Sequence, residues 1–181
     1  MSIATSLLYE FEAQAAVTRR FLERLPEERL TWRPHERSMT AGQLALHLAT
    51  VPGRVVHAIE KDEQQVPDFG EFAQPTSCDE VMRALEASVA TVKELLPRFS
   101  DAAMNAPWRL LAGEKEVLRQ PRQQFLRDVM LSHCYQHRGQ FSVYLRLMNL
   151  PVPASWGPSA DEPPLFVQAE ALARPREAVA V

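Results

Sequence analysis

The chain has 181 residues, of which 46% are hydrophobic, and a formal net charge of −3. This length and apolar content suit one domain with a workable buried core. Lys and Arg form no run along the chain, so the sequence predicts no nucleic-acid partner, which would need a clustered basic surface. Only two cysteines are present, which indicates a reducing compartment and not a disulfide-stabilised secreted scaffold.

The first residues, MSIATSLLYEFEAQ, lack the basic start of a signal peptide and become acidic early. No apolar stretch approaches the roughly 20 residues that are needed to cross a bilayer. We therefore expect a soluble cytoplasmic protein that has no membrane partner.

Hydrophobic periodicity predicts four helices, and they lie near residues 3–25, 40–62, 77–96 and 121–150. Thr40 and Gln43 form a capping box at the start of the second helix, and Ser77 and Glu80 form another at the start of the third. Pro52 interrupts the second helix, where we expect a kink because proline has no backbone donor. The predicted fold class is all-α, a four-helix bundle with long connectors and a Pro-rich C-terminal tail.

The connectors and the tail are less regular than the helices. Residues 63–76 are long enough to cross the bundle end to end, so the topology stays open. Residues 108–120 could form a small hairpin around Gly113, which would be marginal alone.

The tail from Pro151 onward contains six of the 14 prolines, which predicts extended chain. We expect Trp156, Leu165 and Phe166 to dock it against the helices. Beyond about Gln168 little remains to hold the chain, and we expect it to be frayed.

Two histidines, His133 and His137, lie four residues apart in LSHCYQHRGQF, on the core-facing side of the fourth predicted helix. One histidine at such a position would be interpreted as a hydrogen-bonded interior residue. Two basic nitrogens in one apolar space would each cost roughly 1–3 kcal/mol without partners. A shared metal ion removes that cost, because imidazoles four residues apart on a helix can chelate one cation.

A third ligand would strengthen this weak motif, and three further histidines are candidates. His35 precedes the capping box in a polar segment, and His57 lies past Pro52 and points about 80° away from His47. His47 lies on an apolar helix face within GQLALHLA, which directs it inward. The sequence therefore predicts a metal site made of His47, His133 and His137.

Two more polar residues share the helix face of the paired histidines. Gln140 and Tyr144 could support the ligands or contact substrate, although packing in the core is at least as good an interpretation. Cys134 points about 100° away from His133 and is interpreted as a small buried hydrophobic residue. Cys78, in the first turn of the third helix, could have a lowered pKa there, although a structural role is the preferred interpretation.

MTAGQLALHLA, followed late in the chain by HCYQHRGQFSVYLRLMNLPVP, resembles the DinB/YfiT-like family of metal-binding four-helix bundles. The segment VPASWGPSADE is also similar to one found in many members, which have Tyr where Trp156 stands here. The resemblance covers residues 1–165, which are interpreted as the DinB-like bundle, and it leaves 166–181 as a C-terminal tail. It implies one divalent metal ion bound by the same three histidines.

The resemblance also implies a class of reaction. Some family members are similar to thiol S-transferases or thiol-dependent isomerases, and many have no assigned reaction. We therefore expect a metal-dependent enzyme that activates a low-molecular-weight thiol for transfer to a small electrophile, in a stress response. Three imidazoles suit several metals; Zn or Ni is expected, with Fe or Mn as alternatives.

Two other functions stay open. An open coordination position could instead hold hydroxide and support hydrolysis, although no HExxH motif supplies the base that zincins use. The metal could also be purely structural, but structural sites usually have four protein ligands and only three are convincing here. A homodimer is likewise left open.

Overall fold

The computed structural model describes residues 1–68, 70 and 72–168, and it is mostly helical. The helices are α1 (Ile3–Leu22), α2 (Ala41–Ala58), α3 (Cys78–Leu95), α4 (Asp101–Asn105), α5 (Arg122–Phe125) and α6 (His133–Leu147). A π-helical segment, Leu126–Ser132, joins α5 to α6, so that residues 122–147 form one continuous helical run. Among the described residues, no helix combines the length and the apolarity that crossing a bilayer requires.

The four predicted helices are present, with somewhat earlier ends. The second helix ends at Ala58 and not near residue 62. The indole nitrogen of Trp108 donates to the carbonyl of Ala58 at 3.2 Å, and Nε of Arg122 donates to the carbonyl of Ile59 at 2.9 Å. These distant side chains satisfy carbonyls that have no partner within the helix, and no local sequence signal could have placed them there.

The prediction of an all-α fold is wrong, because the chain also forms a small three-stranded sheet. Its strands are β1 (Glu63–Gln65), β2 (Pro107–Ala112) and β3 (Lys115–Pro121). Strands β2 and β3 are antiparallel and turn at Gly113, whose φ of 64° favours glycine. The hairpin that the sequence allowed is therefore confirmed.

Strand β1 turns this hairpin into a sheet by pairing with β2 in parallel. Its residues, EQQ, are all exposed, so neither alternation nor apolar composition predicted a strand. Trp108 anchors the sheet to the helices: it is fully buried and stacks on Phe125 with ring centroids 4.1 Å apart. This packing supplies the stability that an isolated hairpin lacks.

Helix α2 is positioned at both ends and in the middle. Its predicted capping box is confirmed, with Gln43 N donating to the Thr40 hydroxyl and Thr40 N donating to the Gln43 side chain. Pro52 lies inside the helix, and the next amide, Gly53 N, donates to the Ser88 hydroxyl of α3 at 2.8 Å. A Cβ on Gly53 would lie 3.0 Å from that hydroxyl, so glycine permits α3 to approach closely.

The tail docks by different residues from those predicted. Trp156 is 55% exposed and Phe166 is 64% exposed, so the expectation that they anchor the tail is wrong. Ala154 is buried instead, and Leu165 packs against the helical core. The segment predicted to be frayed, residues 169–181, lies outside the described residues.

Carboxylates complete this docking. Glu162 forms ion pairs with Arg20 of α1 and with Arg24, which lies just after α1, and Asp161 forms one with Arg146 of α6. The backbone N–H of Ala154 also donates to Glu162, at 3.0 Å. We call Arg20, Arg24, Arg146, Asp161 and Glu162 the tail clasp.

Candidate metal centre

His47 of α2 and two histidines of α6, His133 and His137, meet where these helices pack. Their ring centroids lie 5.2 Å apart for His47 and His133, 4.8 Å for His47 and His137, and 4.3 Å for His133 and His137. One potential ligand atom from each residue lies within 4.8 Å of the others. The structure therefore brings together all three residues that the sequence selected, and we call them the histidine triad.

The hydrogen bonding of the triad is incomplete. Nε2 of His47 and Nδ1 of His133 are buried and have no hydrogen-bond partner. Nε2 of His133 and Nε2 of His137 face one another at 2.8 Å, a contact between two nitrogens that needs a proton or a cation. Converging imidazoles with unsatisfied nitrogens fit a divalent metal ion, whose preferred ligands include neutral imidazole.

The protonation of the triad also fits cation binding. Burial, and then the neighbouring His137 and His133, lower the pKa of His47 to about 4. Burial and His137 likewise lower the pKa of His133, and the backbone of Val129 beside the ring offsets part of this shift. Both rings are therefore neutral near pH 7, which leaves lone pairs for a metal ion.

Gln140 contacts the triad directly. Its side-chain oxygen lies 2.7 Å from Nδ1 of His137. With this oxygen as acceptor, Nδ1 is the protonated ring nitrogen, and Nε2 keeps its lone pair toward His133. This contact fits the supporting role that the sequence proposed for Gln140.

Tyr144, the other residue proposed on this helix face, is not hydrogen-bonded to the histidines. Its hydroxyl donates to the carbonyl of Met39 at 3.2 Å, and its ring packs edge-on against Trp32 with centroids 5.6 Å apart. The structure thus places it between α6 and the segment before α2.

The remaining histidines lie apart from the triad. His35 is exposed, and its Nδ1 accepts a hydrogen bond from Arg37 N. His57 is also exposed and pairs with Glu60. Neither belongs to the group of potential metal ligands among the described residues.

The two cysteines are poor nucleophiles in this structure. Burial raises the pKa of Cys134 to about 12. Burial and the nearby carboxylate of Glu27 raise the pKa of Cys78, whose thiol donates to the carbonyl of Leu25 at 3.0 Å. The alternative that the start of α3 lowers the pKa of Cys78 is therefore wrong, because burial and acidic neighbours outweigh the helix dipole.

Sequence reasoning missed a cleft beside His47. The ring of Phe72 packs edge-on against the His47 ring with centroids 5.4 Å apart, and the Gln43 amide donates to the Phe72 carbonyl at 2.9 Å. The cleft has a volume of about 350 Å³ and is lined by Arg37, Ser38, Met39, Gln43, Gly70 and Phe72. We call it the Arg37 cleft. Gln43 precedes His47 by one helical turn, and this spacing was the sequence signal that could have indicated a cleft beside His47.

Comparison with known proteins places the chain in a family. The family model of the DinB superfamily matches residues 10–141. The chain belongs to the DinB superfamily. A curated relative, the uncharacterized protein YrdA of Bacillus subtilis, is 26% identical over 155 residues, which cover 85% of this chain and 87% of that protein.

Solved structures described as DinB-like share the fold of this DinB-superfamily chain. One from Bacillus cereus has a TM-score of 0.66 at 22% identity and covers 82% of this chain and 95% of its own. Another, YjoA of Bacillus subtilis, has a TM-score of 0.60 at 19% identity, with coverages of 82% and 96%. At such identities the likeness concerns the fold alone. The DinB superfamily is metal-binding, and the histidine triad of this member could bind a metal.

Proposed function

We propose that this protein is a metal-dependent enzyme that activates a low-molecular-weight thiol and transfers it to a small electrophile. One divalent metal ion, Zn or Ni with Fe or Mn as alternatives, is held by His47, His133 and His137. The observation that supports the proposal most is the convergence of three imidazoles, two of which have a buried nitrogen without a hydrogen-bond partner. In this proposal the long helices form a four-helix bundle around the site, in a cytoplasmic protein.

The residues around the site have distinct roles in this proposal. A divalent cation bound there would lower the pKa of a coordinating thiol, so that the nucleophilic thiolate forms near neutral pH. Gln140 holds the tautomer of His137, and Phe72 covers one face of the His47 ring. The chain supplies no better nucleophile, because burial raises the pKa of both Cys78 and Cys134.

Hydrolysis is the second candidate, and the surroundings of the triad give a reason to prefer the thiol reaction. A hydrolytic site usually places a general base beside the attacking water. Among the described residues, the group of potential ligands around the triad contains no carboxylate, and the side chain hydrogen-bonded to the triad from outside is that of Gln140. This favours the thiol reaction, which needs no general base once the thiolate has formed. A purely structural metal is disfavoured, because the cluster offers three protein ligands and not four.

The test is a reaction with defined substrates. The purified full chain is loaded with Zn²⁺ or Ni²⁺ and supplied with several cellular thiols and a generic electrophile, and thiol loss is followed over time. We expect metal-dependent consumption of at least one thiol, which chelator abolishes and added metal restores. The His137→Ala variant should be inactive, while the matched His57→Ala variant should retain activity, since His57 is exposed and paired with Glu60.

Two outcomes would contradict this proposal. Thiol consumption at the uncatalysed rate, together with metal-dependent cleavage of an ester or amide, would establish the hydrolase instead. Full metal occupancy in the absence of either reaction would favour a structural metal.

A further inference from the structure

The Arg37 cleft adjoins the histidine triad through two residues of its lining, Gln43 and Phe72. Gln43 and His47 are four residues apart on α2, so their side chains are neighbours on one helix face. Phe72 lines the cleft and also packs against the His47 ring. A molecule that fills the cleft therefore lies about one helical turn from the His47 side of the triad.

The size and walls of the cleft suit part of a small molecule. Its volume of about 350 Å³ falls within the range of small-molecule sites. Gln43 forms a fixed wall, because its side-chain oxygen accepts from Thr40 N and its amide group donates to the Phe72 carbonyl. Tyr144 steadies another wall through its hydrogen bond to the Met39 carbonyl.

Two polar side chains of the cleft have no partner within the part of the chain that the structure describes. The guanidinium of Arg37 forms no ion pair there, and the Ser38 hydroxyl forms no hydrogen bond. Several other arginines also lack an ion pair among the described residues, so what distinguishes Arg37 is its place in the lining of a cleft beside the histidine triad. Arg37 is the charged residue among those that line the cleft, and its planar fork of donors matches the two oxygens of a carboxylate.

We propose that the Arg37 cleft binds the carboxylate of a small acidic thiol whose sulfur reaches the histidine triad. Arg37 contacts the carboxylate and so selects acidic thiols over neutral ones. This rests on the proposed function, because it assigns a substrate class to the same site.

The test measures binding and not turnover. Full-length protein loaded with Co²⁺ is titrated with 3-mercaptopropionate or with its neutral analogue 3-mercaptopropionamide, and the absorption band of a cobalt–thiolate bond is recorded. We expect the acidic thiol to bind about fivefold more tightly, as suits one ion pair at a partly exposed site. Arg37→Gln should remove this preference by weakening only the acidic thiol, and Arg37→Lys should keep part of it.

Arg33→Gln is the matched control. Arg33 lies four residues before Arg37, is exposed, and does not line the cleft. Its replacement by Gln changes the net charge by the same amount as Arg37→Gln. Equal weakening by Arg33→Gln and Arg37→Gln would mean general electrostatic attraction and would overturn the assignment of Arg37. Equal affinity of the wild-type protein for both thiols would overturn the acidic-thiol preference alone. Bound Co²⁺ with no thiolate band from either thiol would overturn the proposed function itself.

Discussion

The polar side chains of the tail clasp have bonding partners, whereas those of the histidine triad are only partly satisfied. In the clasp each carboxylate has a cationic partner, and Glu162 also accepts a backbone hydrogen bond from Ala154. In the triad two buried ring nitrogens have no partner. Because an unsatisfied buried polar group costs about 1–3 kcal/mol, the difference favours a stabilising role for the clasp and fits the proposal that the triad binds a metal ion.

Arg138 shows that this difference is not caused by a shortage of partners near α6. It directly follows His137, is only 8% exposed, and donates to the carbonyl and the side-chain oxygen of Gln14 and to the hydroxyl of Thr18. The fold therefore satisfies a buried cation next to His137, while one nitrogen of His47 and one of His133 stay without hydrogen-bond partners.

The largest expected effect is stabilisation of the folded protein by a metal ion bound at the triad. A ligand that binds only the folded state at about 1,000 times its Kd adds about 4 kcal/mol to the free energy of unfolding. We expect Zn²⁺ to raise the Tm of the wild-type protein and of His35→Ala, but not that of His137→Ala. Thermal unfolding with and without chelator measures this, and an equal rise in His137→Ala would place the ion elsewhere.

Removal of a satisfied buried cation should have the next largest effect. Arg138→Met leaves the oxygen atoms of Gln14 and Thr18 without their donor, so we expect a loss of about 2 kcal/mol in the free energy of unfolding. The matched control is Arg127→Met, because Arg127 is only partly buried and its contact with Glu10 is 3.6 Å long; a change below about 0.5 kcal/mol is expected there. Equal losses in urea unfolding would show that Arg138 acts as an ordinary surface residue.

The histidine triad and the tail clasp were not equally predictable from the sequence. The triad could be found because His47, His133 and His137 interrupt regular apolar helix faces, and helical periodicity fixes where each points. The capping box at Thr40 was found for the same reason, since its partners are three residues apart.

Contacts between distant segments were beyond local patterns. Strand β1 forms only because the connector meets β2, and Trp108 and Arg122 end α2 from about 50 to 60 residues away. The Arg37 cleft likewise needs Phe72, which no spacing rule connects to His47. The clasp lies between these cases: a pair between Asp161 and Arg146 follows if the tail folds back on α6, but the partners of Glu162, Arg20 and Arg24, lie in and just after the distant helix α1.

A smaller effect should follow from replacing one histidine of the triad with a hydrocarbon side chain. In the metal-free protein, His47→Leu removes a buried nitrogen that has no partner, so we expect stabilisation by about 1 kcal/mol at pH 7. The gain should grow as the pH falls from about 6.5 to about 4. The unfolded histidine has the ordinary pKa of about 6.5 and the folded one has a pKa of about 4, so the unfolded state binds the proton first.

Urea unfolding of chelator-treated protein between pH 4 and pH 7 measures this. His57→Leu is the control for a leucine that replaces an exposed histidine near the end of the same helix. A metal-free His47→Leu protein that is less stable than the wild type at every pH would mean that His47 makes stabilising contacts without a metal ion. The contrast between the triad and the clasp would then not hold.

The smallest expected effect concerns the clasp. Glu162→Gln removes the charge that pairs with Arg20 and Arg24, and we expect a loss of about 1 kcal/mol at pH 7. Burial tends to raise the pKa of Glu162, but the hydrogen bond from Ala154 and the charge of Arg20 together lower it below the ordinary value. A lowered pKa means that the stabilisation is complete above the unfolded pKa of about 4.3 and is lost as the pH falls through the folded pKa. The difference between wild type and variant should therefore be constant from pH 5 to pH 7 and shrink at lower pH.

The control is Glu23→Gln. Glu23 is an exposed residue of the same charge, and its replacement should change stability by less than about 0.5 kcal/mol. A Glu162→Gln difference that stays undiminished at pH 3 would show that side-chain packing, and not the ion pairs, holds the tail.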